Sequence, residues 1–290
     1  MNFNLHELSP YIRFAADSII PAPWELKERV IFDYEILYVK EGKIEVLLED
    51  KQYLGVPGDI FLFRPKKKHA IKSVGDVTIR QPHIHFDLIY QHDSPDVKIS
   101  FSPFNQISSQ EQKLFRKDIF HEAAFQIADH IRPQNPVIIE KMIFDIINEF
   151  ETKMPFSEIN IKGLFIQLLV QIFRENYWAQ NPKVFSNMDE LYKIQTYLKH
   201  NVSRKVPLEE LSQIGNISKF HLIRLFKKAF GTGPIQYHQS LRLEKAKENI
   251  LFTNSSISDI ADEFGYENIQ SFSRAFKKQE GVPPSFYRRK

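Results

Sequence analysis

From Val30 to about residue 100 the apolar positions fall in short runs broken by glycine, proline and aspartate. VIFDYEILYV stops at Glu41-Gly42, and KIEVLLED follows with alternating character. KQYLGV leads to a turn at Pro57-Gly58-Asp59 and the run IFLF ends at Arg64-Pro65. AIKSV stops at Gly75-Asp76, and VTIRQPHIHFDLIY closes the series. Short strands punctuated by turn residues predict a β-sandwich or small barrel over about residues 12–100. Alternation alone leaves the inward register of these strands open.

From about Ser108 the apolar spacing lengthens to three and four residues. EQKLFRKDIF, HEAAFQIADHI, VIIEKMIFDIINEFE and INIKGLFIQLLVQIFRENYW read as helices over about 108–178, separated by Pro133, Pro136 and Pro155. The last carries a wide apolar stripe: Ile161, Leu164, Phe165, Leu168, Leu169, Ile172 and Phe173. Such a stripe packs on a barrel and can also meet a second subunit. Leu164, Phe165, Leu168 and Ile172 are therefore candidate homodimer contacts. Residues 179–187, AQNPKVFSN, show no period and read as a linker. The chain divides into a first domain over 1–178 and an all-helical second domain over 188–290.

The second domain repeats itself. At an offset of 49 residues Leu208 matches Ile257, Leu211 matches Ile260, Ser212 matches Ala261 and Asn216 matches Gly265. One added residue shifts the offset to 50, where Leu222 matches Phe272, Arg224 matches Arg274 and Phe226 matches Phe276. Lys227-Lys228 then matches Lys277-Lys278, and Gly231, Pro234 and Tyr237 match Gly281, Pro284 and Tyr287. Each copy, 208–230 and 257–280, follows the grammar of a helix-turn-helix. A short helix holds a small residue where a second helix approaches, Ser212 or Ala261, and ends in Asn216 or Gly265, which tolerate left-handed backbone. Ser218 and Asn268 stand as N-caps of the second helices, and Ser256 with Asp259 forms a capping-box pattern.

Composition adds little until it is divided along the chain. With 42% hydrophobic and 26% charged residues the 290-residue chain is an ordinary globular protein, and no apolar run is long enough for a membrane span. The N-terminal stretch lacks the pattern of an export signal, which makes the cytoplasm the expected compartment. With no cysteine, disulfides and thiol chemistry are excluded. The whole chain carries 39 basic and 36 acidic residues, yet Met188–Lys290 alone holds 17 Lys and Arg against 11 Asp and Glu. That excess points to a polyanionic partner. A helix lying in a major groove presents its N-terminal residues to base edges. In the two copies these are Lys219, Phe220, Ile223 and Arg224, and Ile269, Gln270 and Arg274. Arginine pairs bidentately with guanine and glutamine with adenine, whereas Phe and Ile offer apolar contact. Ser218, Lys219, Lys227, Lys228, Asn268, Lys277, Lys278 and the tail Arg288-Arg289-Lys290 are candidates for phosphates.

These stretches, SKFHLIRLFKKAFGTGPIQY and LRLEKAKENILFTNSSISDIADEFGYENIQSFSRAFKKQEGVPPSFYR, resemble the DNA-binding domain of the AraC/XylS family of bacterial transcription regulators. The resemblance covers about the last 100 residues and is far more specific than a lone helix-turn-helix. It implies two such units joined by a helix, about Pro234 to Leu251, in successive major grooves, with Phe220, Ile223, Arg224, Ile269, Gln270 and Arg274 at the base-reading positions. Two departures stand out: Ile223 and Ile269 occupy positions where polar readers are frequent, and Asn216 replaces the usual turn glycine.

The segments YEILYVKEGKIEVLLEDKQYLGVPGDIFLFRPKKKHAI and HIHFDLIY resemble, less specifically, the cupin-like sensor domain of the same family. The expected fold class is therefore α+β: an N-terminal cupin-like β-barrel with packed helices, then an all-α domain of two helix-turn-helix units joined by a helix. The resemblance implies a small-molecule effector, often a sugar, in the barrel, and activation through RNA polymerase. Candidate ligand contacts are Arg29, Glu35, Tyr38, His69, His83 and His85, with Trp24 as a stacking lid. A metal-dependent cupin enzyme needs paired histidines and a carboxylate on one strand pair. The first strand here offers Asp33, Tyr34 and Glu35 without histidine, so neither a metal nor another cofactor is expected. Two other readings stay open: a cupin-type enzyme with a helical accessory domain, and a regulator controlled by a protein partner.

Overall fold

The computed structural model describes residues 5–122 and 126–288. The chain forms two compact units, Met1–Gln180 and Asn181–Lys290. In the first, the strands are β1 (Tyr11–Ile20), β2 (Glu25–Arg29), β3 (Tyr34–Tyr38), β4 (Ile44–Leu48), β5 (Lys51–Gly55), β6 (Ile60–Phe63), β7 (His69–Ser73), β8 (Ile79–Asp87) and β9 (His130–Ile131). They make one sheet of order β1-β8-β3-β6-β9 and a second of order β2-β7-β4-β5. The strand pairs are antiparallel. The sheets enclose an apolar interior of Leu37, Val46, Phe61, Phe63, Ile71 and Ile79. The opposite face of the larger sheet, with Tyr34, Ile36, Leu62, Ile84 and Phe86, packs on the helices α2 (Pro136–Thr152) and α3 (Ser157–Gln180).

This two-sided burial explains the weak alternation in the sequence. Every residue of β3 is buried. A strand covered on both faces reads as a continuous apolar run. Tyr38 belongs to the helix-facing side, where its hydroxyl donates to Glu140 Oε2 at 3.0 Å. It is therefore on the wrong face for the ligand contact expected of it.

The stripe expected to form a dimer contact is also used internally. Phe165, Leu168 and Ile172 are buried in the core between α3 and the sheet, and half-buried Leu164 packs against it. Their apolar area is already removed from water, so they are not a dimer surface. Residues 111–131 depart from the expected helices. Among the described residues they form a 3-10 turn at Glu111–Leu114, a single turn α1 (Ile119–Glu122) and the edge strand β9, where Ile131 pairs with Ile60. Ile119, Phe120, Ile127 and Ile131 join the core from these short segments.

The second unit holds α4 (Pro182–Phe185), α5 (Met188–His200), α6 (Leu208–Gly215), α7 (Lys219–Phe230), α8 (Pro234–Phe252), α9 (Ile257–Glu263) and α10 (Ile269–Glu280). Residues 179–187 are thus largely helical rather than a structureless linker. Pro182 starts α4, and Val184 is buried. In the turn after α6, Asn216 has φ 49° and ψ 39°; in the turn after α9, Gly265 has φ 66°. Ser256 and Asp259 form a reciprocal capping box at 3.1 Å each way, and Asn268 caps α10 by accepting from Ser271 N–H at 2.8 Å. Ser218 occupies the N-cap of α7 without a side-chain cap bond.

Candidate functional site

Two helices present the residues named for base reading. On α7 the core side is Leu222, Leu225 and Phe226, and the outward side is Phe220, Ile223 and Arg224. On α10 the core side is Phe272 and Phe276, and the outward side is Ile269, Gln270 and Arg274. The division follows from the amphipathic period: positions three and four apart share a face. Phe220 is 90% exposed, which leaves a whole aromatic ring in water. Arg224 and Arg274 make no ion pair among the described residues, so their guanidinium groups are available to an outside acceptor.

The phosphate candidates divide. Lys227, Lys277 and Lys278 are exposed in the last turns of α7 and α10, where a cation also favours the helix dipole, and Lys228, exposed as well, donates to Asn181 Oδ1 at 3.3 Å. Lys219 pairs with Glu209 on the surface. Ser218 and Asn268 are exposed at the helix starts. Arg288 is otherwise engaged: its Nη1 donates to Thr253 O at 3.3 Å and its Nη2 to Ser255 O. These bonds tie the chain end to the loop before α9, so Arg288 does not fit the phosphate role. Arg289 and Lys290 lie outside the described residues.

In the first unit, four of the residues expected to line a pocket do converge. Arg29 Nη2 donates to Glu35 Oε2 at 2.6 Å and Arg29 Nε to His69 Nε2 at 2.9 Å. His85 lies opposite Glu35 in the β3–β8 register, with Nε2 3.5 Å from its Oε2 and Nδ1 3.3 Å from Asp33 Oδ1. His83 follows on the same strand face, its ring 6.0 Å from that of His85. The sequence reading missed the continuation of this cluster. Arg13 donates to Asp33 at 2.8 Å and to Asp87 at 2.9 Å, and Arg116 joins Asp87 at 3.0 Å to Asp93 at 2.9 Å. Asp33, Asp87 and Arg116 are buried. The signal was present as charged residues inside apolar runs, because a buried charge needs a partner.

Electrostatics follow the geometry. Burial, together with the Arg29 guanidinium, pushes His69 down to about 4. Burial alone would raise Glu35, but His85 and Arg29 beside it hold its carboxyl down at about 2. Burial lowers His83 as well. Trp24 stands apart, half-buried against the apolar part of the interior. Among the described residues no group of three or more His, Asp or Glu is arranged to hold a metal ion. A cleft of about 800 Å³ opens elsewhere, between β1 and the α2–α3 turn, lined by Tyr11, Arg13, Tyr90, Phe150, Lys153 and Lys162 among others. Of the residues named from the sequence as ligand contacts, none lines it.

A sheet-built unit with a buried charged cluster beside its apolar interior, followed by paired helix-turn-helix motifs, is the layout of a DNA-binding regulator with a sensing domain. Residues 211–290 match the helix-turn-helix domain family HTH_18, and residues 24–111 match the AraC-like ligand binding domain family. The chain belongs to the AraC family of transcription regulators. It is 36% identical over 137 residues to the raffinose operon transcriptional regulatory protein RafR of Pediococcus pentosaceus, a match spanning 46% of this chain and 48% of that protein. It is 26% identical over 267 residues to the uncharacterized HTH-type transcriptional regulator YfiF of Bacillus subtilis (strain 168), across 88% of this chain and 76% of the other. Among solved structures, the C-terminal domain of AraT, a response regulator from Geobacillus stearothermophilus, is 34% identical with a TM-score of 0.33, covering 34% of this chain and 83% of that one. Among the described residues no helix is long and apolar enough to cross a membrane.

Proposed function

We propose that this regulator activates transcription in response to a small polar molecule, with α7 and α10 as its base-reading helices. The observation that carries this reading is the exposed face shared by both helices, above all the uncovered ring of Phe220 beside Arg224. An aromatic ring left in water next to an unpaired guanidinium suits a groove edge, where thymine methyls and guanine acceptors lie together. Lys227, Lys228, Lys277 and Lys278 supply phosphate contacts. Binding of the full chain to promoter duplexes, titrated at several salt concentrations, tests this: sequence-independent loss of binding on mutating Arg224 and Arg274 would refute their assignment as readers.

The effector is proposed to meet the Arg29–Glu35–His69–His85 cluster, with His83 beside it. A polyol suits such a site, because each hydroxyl both donates and accepts and can replace the internal partners of these groups. The name of RafR supports a sugar of the raffinose class as the first to try. Thermal-shift titration with raffinose and other sugars tests it, since a bound ligand raises the melting temperature. RNA polymerase is the proposed partner in activation.

Self-association is proposed through the outward side of α3. Ile159, Ile166, Val170 and Tyr177 are exposed there, at spacings of 7, 4 and 7 residues. That is the spacing of a coiled-coil seam, along which the apolar lines of two helices pack on each other.

A further inference from the structure

Each helix-turn-helix half of the second unit buries its own set of apolar residues, and Val202 of the first half's loop also packs against the second set. Ile260, Phe264, Phe272 and Phe276 cluster with the C-terminal part of α8 in one. Leu211, Leu222, Leu225 and Phe226 are buried in the other half. A groove of about 600 Å³ is lined from both halves, by Val206, Pro207, Ile235, Tyr266 and Ala275 among others. Polar contacts cross between the halves beside these apolar ones.

Two buried polar side chains on α8 reach toward the ends of other helices. His238 is 3% exposed, and its Nε2 lies 3.0 Å from the carbonyl of Asn201, the C-cap of α5. Arg242 follows four residues later, on the same face, and is 5% exposed. Its Nε and Nη2 both donate to the carbonyl of Phe264, the C-cap of α9, the former at 3.1 Å, and its guanidinium lies 4.8 Å from the ring centre of Tyr266. No carboxylate pairs with Arg242 among the described residues. A buried cation without a counter-ion is expensive, and it persists here because the orphan carbonyl of a helix end and an aromatic face receive it. A third contact reinforces the arrangement. A methyl on Gly265 would meet Ser203 O at 3.1 Å, so the turn of the second half lies directly on the loop of the first. Tyr197, Arg204 and Glu210 bind that loop to α5 and α6.

We propose that His238 and Arg242 form a two-point latch that fixes the angle and distance between α7 and α10, and so determines which spacing of two base boxes the protein accepts. They are positioning residues: neither lies among the base-reading positions. The proposal rests on both helices reading DNA. One base pair inserted between two boxes turns the second by about 35° and moves it along the axis, a change a rigid pair of helices cannot follow.

The test uses the full chain and duplexes it selects from a random-sequence pool, with the two boxes located by footprinting. Duplexes with one base pair added or removed between the boxes are then compared with the parent. Wild type should lose about tenfold or more in affinity on either change, in the range of a mismatched site. Arg242→Met and His238→Leu should bind the parent more weakly and discriminate spacers by less than about threefold, while binding to a single box stays near wild type. His238→Gln, which keeps a donor toward Asn201, should restore discrimination. Gly265→Ala forces the two halves apart by another route and covers the case in which Arg242→Met does not fold. Folded variants that discriminate spacers as sharply as wild type would overturn the latch alone. A wild type indifferent to spacing would overturn the latch together with the paired reading.

Discussion

Arg29 donates its Nε–H to Nε2 of His69 at 2.9 Å. The imidazole must therefore accept at Nε2 and hold its proton on Nδ1, which faces the carbonyl of Lys67 at 3.2 Å. A second proton on His69 would break the contact with Arg29 and place two cations side by side. Burial and this neighbour push the group from its ordinary 6.5 down to about 4. In this pH range the unfolded chain binds a proton that the folded chain refuses, so stability is full above about pH 6.5 and falls as pH drops toward 4. The loss is on the order of 3 kcal/mol. Urea denaturation between pH 7.5 and pH 4 should show it in wild type. In His69→Gln the slope between about pH 6.5 and 5 should flatten, because an amide oxygen accepts from Arg29 without titrating.

Glu35 is the counter-ion that makes buried Arg29 tolerable, with Arg29 Nη2 at 2.6 Å from its carboxylate. Glu35→Ala should cost about 3–5 kcal/mol, because it leaves the guanidinium buried and uncompensated. Glu35→Gln keeps an acceptor and should cost less. Denaturant midpoints at neutral pH check both. If Glu35→Ala were as stable as wild type, the interior would have to admit water to Arg29.

On the DNA side, Arg224→Ala and Arg274→Ala should each lose about 1–3 kcal/mol of binding and relax preference at one base position. Lys277→Ala should weaken all sequences alike and reduce the salt slope by about one phosphate contact. Phe220→Ala should leave the melting temperature unchanged, since the ring is 90% exposed. Fluorescence anisotropy against a set of single-base variants separates these patterns.

For α3, opposite faces should give opposite results. Ile166→Glu with Val170→Glu should yield a folded monomer, because both side chains are exposed. Leu168→Ala should leave association intact but cost about 2–5 kcal/mol of stability through a core cavity. Sedimentation and thermal melting distinguish them. A double glutamate variant that sediments like wild type would move the interface elsewhere.

Much of the DNA-binding unit was legible from the chain alone. The duplicated helix-turn-helix pattern, the inward Leu222, Phe226, Phe272 and Phe276 and the outward Phe220, Arg224 and Arg274 all follow from a 3.6-residue period, which is a local property. Asn216 and Gly265 were recognisable as left-handed turn residues for the same reason: one residue's backbone preference decides the matter. The cupin-like strands were visible through their turn residues.

Other features depend on contacts between distant segments. Tyr38 and Glu35 are three residues apart on one strand, yet only the pairing of two sheets and two helices decides which faces the interior. The α3 stripe looked suitable for a partner, but the sheet claims Phe165, Leu168 and Ile172, leaving a different line of residues outside. Arg288 looked like a phosphate ligand until the fold brought Thr253 and Ser255 to it. By itself the sequence determined the elements, the repeat and the chemistry of the reading helices, because these are set by short-range periodicity and residue type. The tertiary structure alone decided which charges are paired in the interior and which apolar face stays open. Those outcomes depend on which segments, tens of residues apart, compete for the same buried space.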